Sequence, residues 1–254
     1  MYRLLLSIFL LCTSITTLAS NANSATDNGT HETIIRTVSF PSLDKLDVTA
    51  DLYYIGDDHP LIILCHQARF SRGEYIESAK KFNELGYNCM AIDQRSGNEI
   101  NNVINKTAYL AEKKGLKQDY LSAEQDIIAA INYASSINLD DIILLGSSYS
   151  ASLVLKIASV NKKVRAVMSF SPGEYFGAQL NLQTSIQSLD VPCFITSSRK
   201  EFSSIKVLTS KLNTSKITLF LPNEEGKHGS KALWSSYKHN EEYWCAIKKF
   251  LKEL

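Results

Sequence analysis

The sequence lacks the features of a filament, a repeat protein or a nucleic-acid-binding domain. Its 254 residues include only 11 glycines and 5 prolines, which excludes collagen-like and proline-rich chains. With 27 basic and 26 acidic side chains, the net charge of +1 gives no general reason to bind nucleic acid or anionic lipid. No repeat recurs at a solenoid period. Because 44% of the residues are hydrophobic, the sequence predicts a globular protein whose function depends on a local site.

The sequence also lacks the cysteine spacing of a metal or redox centre. Its five cysteines form no Cys-x-x-Cys pair and no zinc-like cluster with histidines. Cys65, Cys89 and Cys193 lie in apolar, strand-like runs, where a thiol behaves as a small hydrophobe. We therefore expect buried thiols rather than disulfides, and we expect no metal and no organic cofactor.

The first residues have the order of a secretory signal peptide. A positive start at Arg3 precedes an apolar run over residues 4–11 and a stretch of small residues that ends at Ala22. The apolar run is too short for a membrane anchor, which needs about 18 residues. We predict a signal peptide over 1–22, a flexible leader over 23–33, and a secreted or periplasmic protein with no stable membrane insertion after cleavage.

Strand-like and helix-like segments alternate along the rest of the chain. The predicted strands cover residues 33–40, 48–55, 61–65, 89–92, 141–145, 164–170, 191–196 and 216–221. The predicted helices cover residues 74–85, 119–137, 148–160, 202–212 and 240–254. This alternation is typical of βαβ units and a mainly parallel sheet. Since no linker-like segment divides the chain, we predict one α/β domain over 34–254, and residues 171–190 are too few for a large cap domain.

One serine occupies the position of a catalytic nucleophile. The segment Gly146–Ser150, between a predicted strand and a predicted helix, approximates the Gly-x-Ser-x-Gly nucleophile elbow. Such a tight turn needs small residues two positions before and after the nucleophile. Ser147 would put a leucine at one of these positions, whereas Ser148 has a glycine before it and a serine after it. Ser148 is therefore the candidate nucleophile, and Ser150 departs from the pattern by replacing the second glycine.

A catalytic serine needs a histidine base and a carboxylate that orients the base. Of the five histidines, His228 lies in a glycine-flanked loop between the last predicted strand and the last helix, from which it can reach across the strand ends. Glu201 is the only acid in the loop after the preceding strand. Asp93, at the end of another apolar strand, is an alternative acid, although pairing with Arg95 or nearby backbone suits it better. The predicted chain order is Ser148, Glu201 and His228.

This order, on this series of strands and helices, resembles the α/β-hydrolase fold and most closely the compact dienelactone-hydrolase-like group. The resemblance covers about residues 34–254 and includes the segments 65–74, 93–97 and 228–230. The group often has a cysteine nucleophile, whereas this chain has a serine at position 148. The resemblance therefore implies a mainly parallel sheet with helices on both faces, but not the substrate of that group.

The same resemblance implies an oxyanion hole made of backbone N–H groups. One would be the N–H of Tyr149, and the other that of Ala68 or its neighbour Gln67. His66 would hold the loop that carries this second donor and would take no part in the chemistry. These donors would stabilise the negative charge that forms when the serine attacks a carbonyl.

Residues beside the predicted site leave the substrate open. Arg69 and Arg72 are placed either to bind a substrate carboxylate or to be solvated, and Tyr175 either to line a pocket or to pack in the core. We expect a serine hydrolase whose partner is a small-molecule substrate: an ester, a lactone or a related acyl compound. The alternatives are a non-catalytic ligand-binding protein on the same scaffold and a peptidase. The oligomeric state is left open.

Overall fold

The computed structural model describes residues 32–254, so the predicted signal peptide and nearly all of the predicted leader lie outside the described residues. The strands are β1 Ile34–Pro41, β2 Asp47–Tyr54, β3 Leu61–Cys65, β4 Asn88–Ile92, β5 Glu99–Ile100, β6 Val103–Ile104, β7 Ile142–Ser147, β8 Val164–Phe170, β9 Cys193–Thr196 and β10 Ile217–Phe220. The helices are α1 Ile76–Glu84, α2 Lys106–Lys113, α3 Glu124–Ser136, α4 Tyr149–Ala158, α5 Leu182–Ser185, α6 Phe202–Thr209 and α7 Asn240–Lys252.

Eight of these strands form one sheet in the order β1-β2-β4-β3-β7-β8-β9-β10. Along this order, every neighbouring pair from β4 to β10 is parallel. The pairs β1·β2 and β2·β4 are antiparallel. The short strands β5 and β6 form a separate hairpin. The sequence-based prediction of a mainly parallel α/β sheet is therefore confirmed.

The apolar runs of the central strands are buried on both faces of the sheet. In β3, Leu61, Ile63 and Cys65 belong to the core beneath α3, α4, α5 and α6, whereas Ile62 and Leu64 belong to the core beneath α1 and α7. A continuous hydrophobic run is what a strand covered by helices on both faces requires. Helices therefore flank the sheet on both sides, as predicted.

Two local predictions need correction. The helix predicted over residues 119–137 begins only at Glu124, the first residue of α3. The residues before it form a turn, because the Asp119 carboxylate accepts hydrogen bonds from the N–H and the hydroxyl of Ser122. Helix α2 was missed, although Asn105 caps it by accepting the N–H of Ala108. Short, weakly apolar helices such as α2 carry too little periodic signal to be found by pattern alone.

No large cap domain covers the described part of the chain, as predicted, since the segment between β8 and β9 adds only α5 and one 3-10 turn. Among the helices of residues 32–254, none is both long and apolar enough to cross a bilayer. The same residues bring together no group of three or more metal-ligating side chains. Cys65, Cys89 and Cys193 are buried free thiols, and Cys245 is an exposed one.

The parallel strands place the predicted site residues at one edge of the sheet. Ser148 follows β7 directly, Glu201 follows β9, and His228 lies in the loop after β10. Because the carboxyl ends of parallel strands meet at a common edge, loops far apart in sequence converge there.

Candidate active site

Ser148 lies on a strained turn between β7 and α4. Its backbone has φ of 59° and ψ of −124°, a conformation that non-glycine residues rarely adopt. The Ser148 N–H donates to the carbonyl of Phe170 at 2.8 Å, which ties the turn to the neighbouring strand β8. The turn leaves the Ser148 side chain near the start of α4, where unpaired backbone N–H groups point outward.

The small residues around Ser148 are required by close packing. A Cβ added to Gly146 would lie 2.5 Å from the carbonyl oxygen of Ser150, so no side chain fits there. Ser150, which replaces the second glycine of the pattern, is fully buried and has its own partners. Its hydroxyl donates to the carbonyl of His66 at 2.6 Å and accepts a hydrogen bond from the amide of Gln94. The departure from the pattern therefore fastens the elbow to the loop after β3.

The three predicted site residues form one hydrogen-bonded chain. His228 Nε2 lies 2.9 Å from Ser148 Oγ, and His228 Nδ1 lies 2.5 Å from Glu201 Oε1. Because an ionised carboxylate only accepts hydrogen bonds, Nδ1 carries the proton and Nε2 is left to accept the serine hydroxyl. The side chain of His228 is 42% exposed, whereas Ser148 is 8% exposed. This arrangement can remove a proton from Ser148 as its oxygen attacks an electrophile.

Glu201 is held in its ionised form. Burial raises its pKa, but hydrogen bonds from His228 and Ser198 outweigh burial and lower the pKa to about 2. Its second oxygen, Oε2, accepts the Ser198 hydroxyl at 2.6 Å and the Ser171 hydroxyl at 3.1 Å. Ser171 in turn accepts the N–H of Gly229, the residue after the histidine, at 3.0 Å. Ser171 and Ser198 were not predicted as site residues, and the one available signal in the sequence was the Ser198-x-x-Glu201 spacing of a capping box.

The hydrogen bonds of the loop after β3 decide between Ala68 and Gln67, the two candidates for the second oxyanion donor. The N–H of Gln67 donates to Glu74 Oε2 at 2.7 Å and is therefore occupied. The N–H of Ala68 has no acceptor among residues 32–254, which leaves Ala68 as the available donor. The N–H of Tyr149 is the first in α4, and the first N–H groups of a helix have no hydrogen-bond acceptor within the helix.

His66 holds this loop through both ring nitrogens. Its Nδ1 bonds the carbonyl of Gln67 at 2.8 Å, and its Nε2 accepts the N–H of Gln94 at 2.9 Å. Burial lowers the pKa of His66 to about 4, so its ring is neutral near pH 7. A buried, neutral imidazole with both nitrogens occupied is suited to support the loop and not to exchange protons with a substrate.

Of the two kinds of partner predicted for Asp93, Arg95 is wrong, whereas backbone N–H groups do bind its carboxylate. Asp93 forms an ion pair with Arg72 at 2.7 Å and accepts backbone N–H groups, and no hydrogen bond or ion pair joins it to His228. Arg95 instead pairs with Asp126 at 2.8 Å and with Asp44 at 2.7 Å. Arg72 is therefore a buried structural arginine and not a solvated or substrate-binding one.

Two tyrosines contact residues that neighbour the nucleophile in the site. Tyr120, which the sequence analysis did not single out, stacks on Tyr149 with ring centroids 4.5 Å apart. The Tyr175 hydroxyl donates to the Ser171 carbonyl at 2.8 Å, and burial raises the pKa of this tyrosine. Arg69 is exposed at φ of 67° beside Ala68, and its role in substrate binding stays a prediction.

No protein-family model matches the chain, and no curated protein matches its sequence. Solved structures do match. An esterase from Pyrococcus furiosus superposes with a TM-score of 0.66 at 16% identity, over 87% of this chain and 91% of that one. An α/β hydrolase from a Penicillium species gives 0.66 at 14% identity, over 87% and 98%. A dienelactone hydrolase candidate from Klebsiella pneumoniae gives 0.66 at 12% identity, over 88% and 100%.

At these identities the likeness establishes the fold. The chain has the α/β-hydrolase fold, with the eight-stranded sheet described above and no large cap domain in residues 32–254. The resemblance inferred from the sequence motifs is confirmed at this level.

Proposed function

We propose that the protein is a serine hydrolase that cleaves a small ester, lactone or related acyl substrate through an acyl-enzyme. The observation that carries this proposal is the continuous hydrogen-bonded chain from Glu201 through His228 to Ser148, with the serine on a strained elbow. The esterases and hydrolases among the structures of the same fold support it.

In the first half of the reaction, His228 Nε2 takes the proton of Ser148 Oγ while that oxygen bonds to the substrate carbonyl carbon. The carbonyl oxygen becomes negatively charged and accepts hydrogen bonds from the N–H groups of Tyr149 and Ala68. When the intermediate collapses, the bond to the leaving oxygen breaks and that oxygen takes the proton from His228. An acyl group then remains on Ser148.

In the second half, water replaces the leaving group. His228 Nε2 removes a proton from water, the hydroxide oxygen attacks the acyl carbonyl, and the proton returns to Ser148 Oγ as the acid product departs. Glu201 keeps its negative charge throughout and stabilises the imidazolium that forms twice in each cycle. The low pKa of Glu201 suits this role, because a protonated carboxyl could not stabilise a cation.

A fluorophosphonate, followed by intact-mass spectrometry, tests the proposal directly. We expect one adduct on the wild type and on Ser136→Ala, a control at an exposed serine of α3, and none on Ser148→Ala. Hydrolysis of short-chain aryl esters and simple lactones should follow the same pattern. The proposal is overturned if the folded wild type forms no adduct and hydrolyses no ester, or if Ser148→Ala still reacts. The first result would favour a ligand-binding role.

We also propose that residues 1–22 are removed during export, which makes the mature protein secreted or periplasmic. Expression of the full chain, with intact mass measured in the exported and retained fractions, tests this directly. A mature chain that starts near residue 23 is expected, and an exclusively retained, full-length chain would contradict it.

A further inference from the structure

One fully buried carboxylate near the site has no part in the chemistry described above. Glu74 lies in the 3-10 turn Arg72–Tyr75 that precedes α1, and only 1% of it is exposed. Within residues 32–254 it forms no ion pair, in contrast to the buried Asp93 and Asp126, which each face an arginine. A buried carboxylate without a cation is costly unless hydrogen bonds satisfy it. The partners of Glu74 therefore indicate what it does.

Those partners belong to the loops that carry the proposed chemistry. Glu74 Oε2 accepts the N–H of Gln67 at 2.7 Å, and Oε1 accepts the hydroxyl of Ser230 at 2.5 Å. The N–H of Ser230 donates to the hydroxyl of Ser147 at 2.9 Å, next to the nucleophile. The Glu74 side chain thus links two loops: the loop after β3 that carries Gln67 (the oxyanion loop) and the loop after β10 that carries His228 (the histidine loop). Through Ser230 it is also connected to the elbow.

The space between these loops is filled to contact. A Cβ added to Gly229, which follows the base, would lie 2.5 Å from the Ser147 hydroxyl and 2.9 Å from Gln67 Oε1. The histidine loop is therefore pressed against the other two loops, and displacement of one loop would displace its neighbours. Burial raises the pKa of Glu74, against hydrogen bonds from Ser230 and Gln67.

We propose that Glu74 is a positioning residue for the hydrolase site. By accepting the Gln67 N–H, it fixes that peptide and occupies its donor, so that the following N–H, of Ala68, is the one offered to the substrate. By accepting the Ser230 hydroxyl, it holds the loop that presents His228. The inference rests on the proposed function, and it adds a residue that touches neither substrate nor reacting atoms.

Steady-state ester hydrolysis by Glu74→Ala and Glu74→Gln tests the proposal. In Glu74→Ala the oxyanion N–H donors and the base His228 should be displaced, which weakens stabilisation of the transition state more than binding of the substrate. The variant should therefore lower kcat by about 100-fold at a similar KM. Glu74→Gln should stay within about fivefold of the wild type, because its amide oxygen still accepts the Gln67 N–H and its amide group can donate to the Ser230 hydroxyl. A glutamine variant as slow as the alanine variant would overturn the proposal.

Asn88→Ala is the matched control. Asn88 is as fully buried as Glu74 and makes three hydrogen bonds to backbone groups, but it lies at the opposite end of the sheet. It should lose stability and keep the wild-type kcat. If Glu74→Ala folds and its kcat is within threefold of the wild type, Glu74 only contributes to stability and the proposal fails.

A second variant decides the question if Glu74→Ala does not fold. Ser230→Ala removes one of the two links and leaves an alanine of similar size, so we expect kcat to fall about tenfold with the unfolding transition retained. An unchanged kcat in Ser230→Ala would then refute the proposal. An inactive wild type would instead refute the proposed function itself, so the two failures are distinguishable.

Discussion

Replacing Gly146 with alanine perturbs the elbow at its closest contact. The new Cβ would lie 2.5 Å from the Ser150 carbonyl oxygen and 2.7 Å from the Ala151 Cα, both backbone atoms. Ordinary contact begins at 3.4 Å, so the first turn of α4 must move by about 0.9 Å. A displacement of about 1 Å in a catalytic group can cost about 100-fold in rate, and overpacking costs about 1–3 kcal/mol of stability. We therefore expect Gly146→Ala to lower kcat by about 100-fold and the free energy of unfolding by about 1–3 kcal/mol.

Urea unfolding and ester hydrolysis measure the two effects on the same protein. Gly115→Ala is the matched control, because a Cβ there meets nothing within 4 Å although φ is 63°. In Gly115→Ala the free energy of unfolding should fall by about 1–2 kcal/mol through backbone strain alone, and kcat should stay at the wild-type value. A Gly146→Ala variant that folds and has a kcat within threefold of the wild type would contradict this expectation.

Three further predictions concern buried hydrogen bonds and charge. Asp126→Ala leaves the Arg95 guanidinium without its buried partner, and the free energy of unfolding should fall by about 3–5 kcal/mol in urea; a loss below 1 kcal/mol would contradict this. Ser150→Ala leaves the buried carbonyl of His66 without its hydroxyl donor and removes one of the two acceptors of the Gln94 amide, so the free energy of unfolding should fall by about 1–3 kcal/mol, and an unshifted urea midpoint would count against this. The pKa of Glu201 falls from 4.5 to about 2 on folding, so its ionised form stabilises the protein above pH 4.5 and this contribution is lost as the pH falls through about 2. The stability difference between wild type and Glu201→Gln should narrow over that window, and a constant difference would show that the carboxylate is not stabilised.

The sequence was sufficient to find the three members of the hydrogen-bonded chain, because each obeys a local rule. Ser148 follows from the need for small residues on either side of a tight turn. Glu201 and His228 follow from their places in loops after the ends of parallel strands, which meet at one edge of the sheet. Such rules depend on positions along the chain and need no knowledge of side-chain direction.

Long-range pairing could not be read in the same way. Arg95 is two residues from Asp93 and was the natural partner by proximity, but the two side chains bind groups from other parts of the fold, 13 to 53 residues away in sequence. The choice between Gln67 and Ala68 depended on the direction of a peptide plane, which only the contact with Glu74 defines. Sequence patterns carry little information about such contacts.

The hydroxyl of Ser150, bonded to the loop after β3, has a consequence for how the protein responds to heat. The elbow and that loop cannot loosen separately without breaking this buried hydrogen bond. Local melting of the site should therefore require more free energy than the opening of an exposed loop. Active-site lids belong to the less stable parts of enzymes, whereas the hydrolysis proposed for this molecule should persist close to its melting temperature.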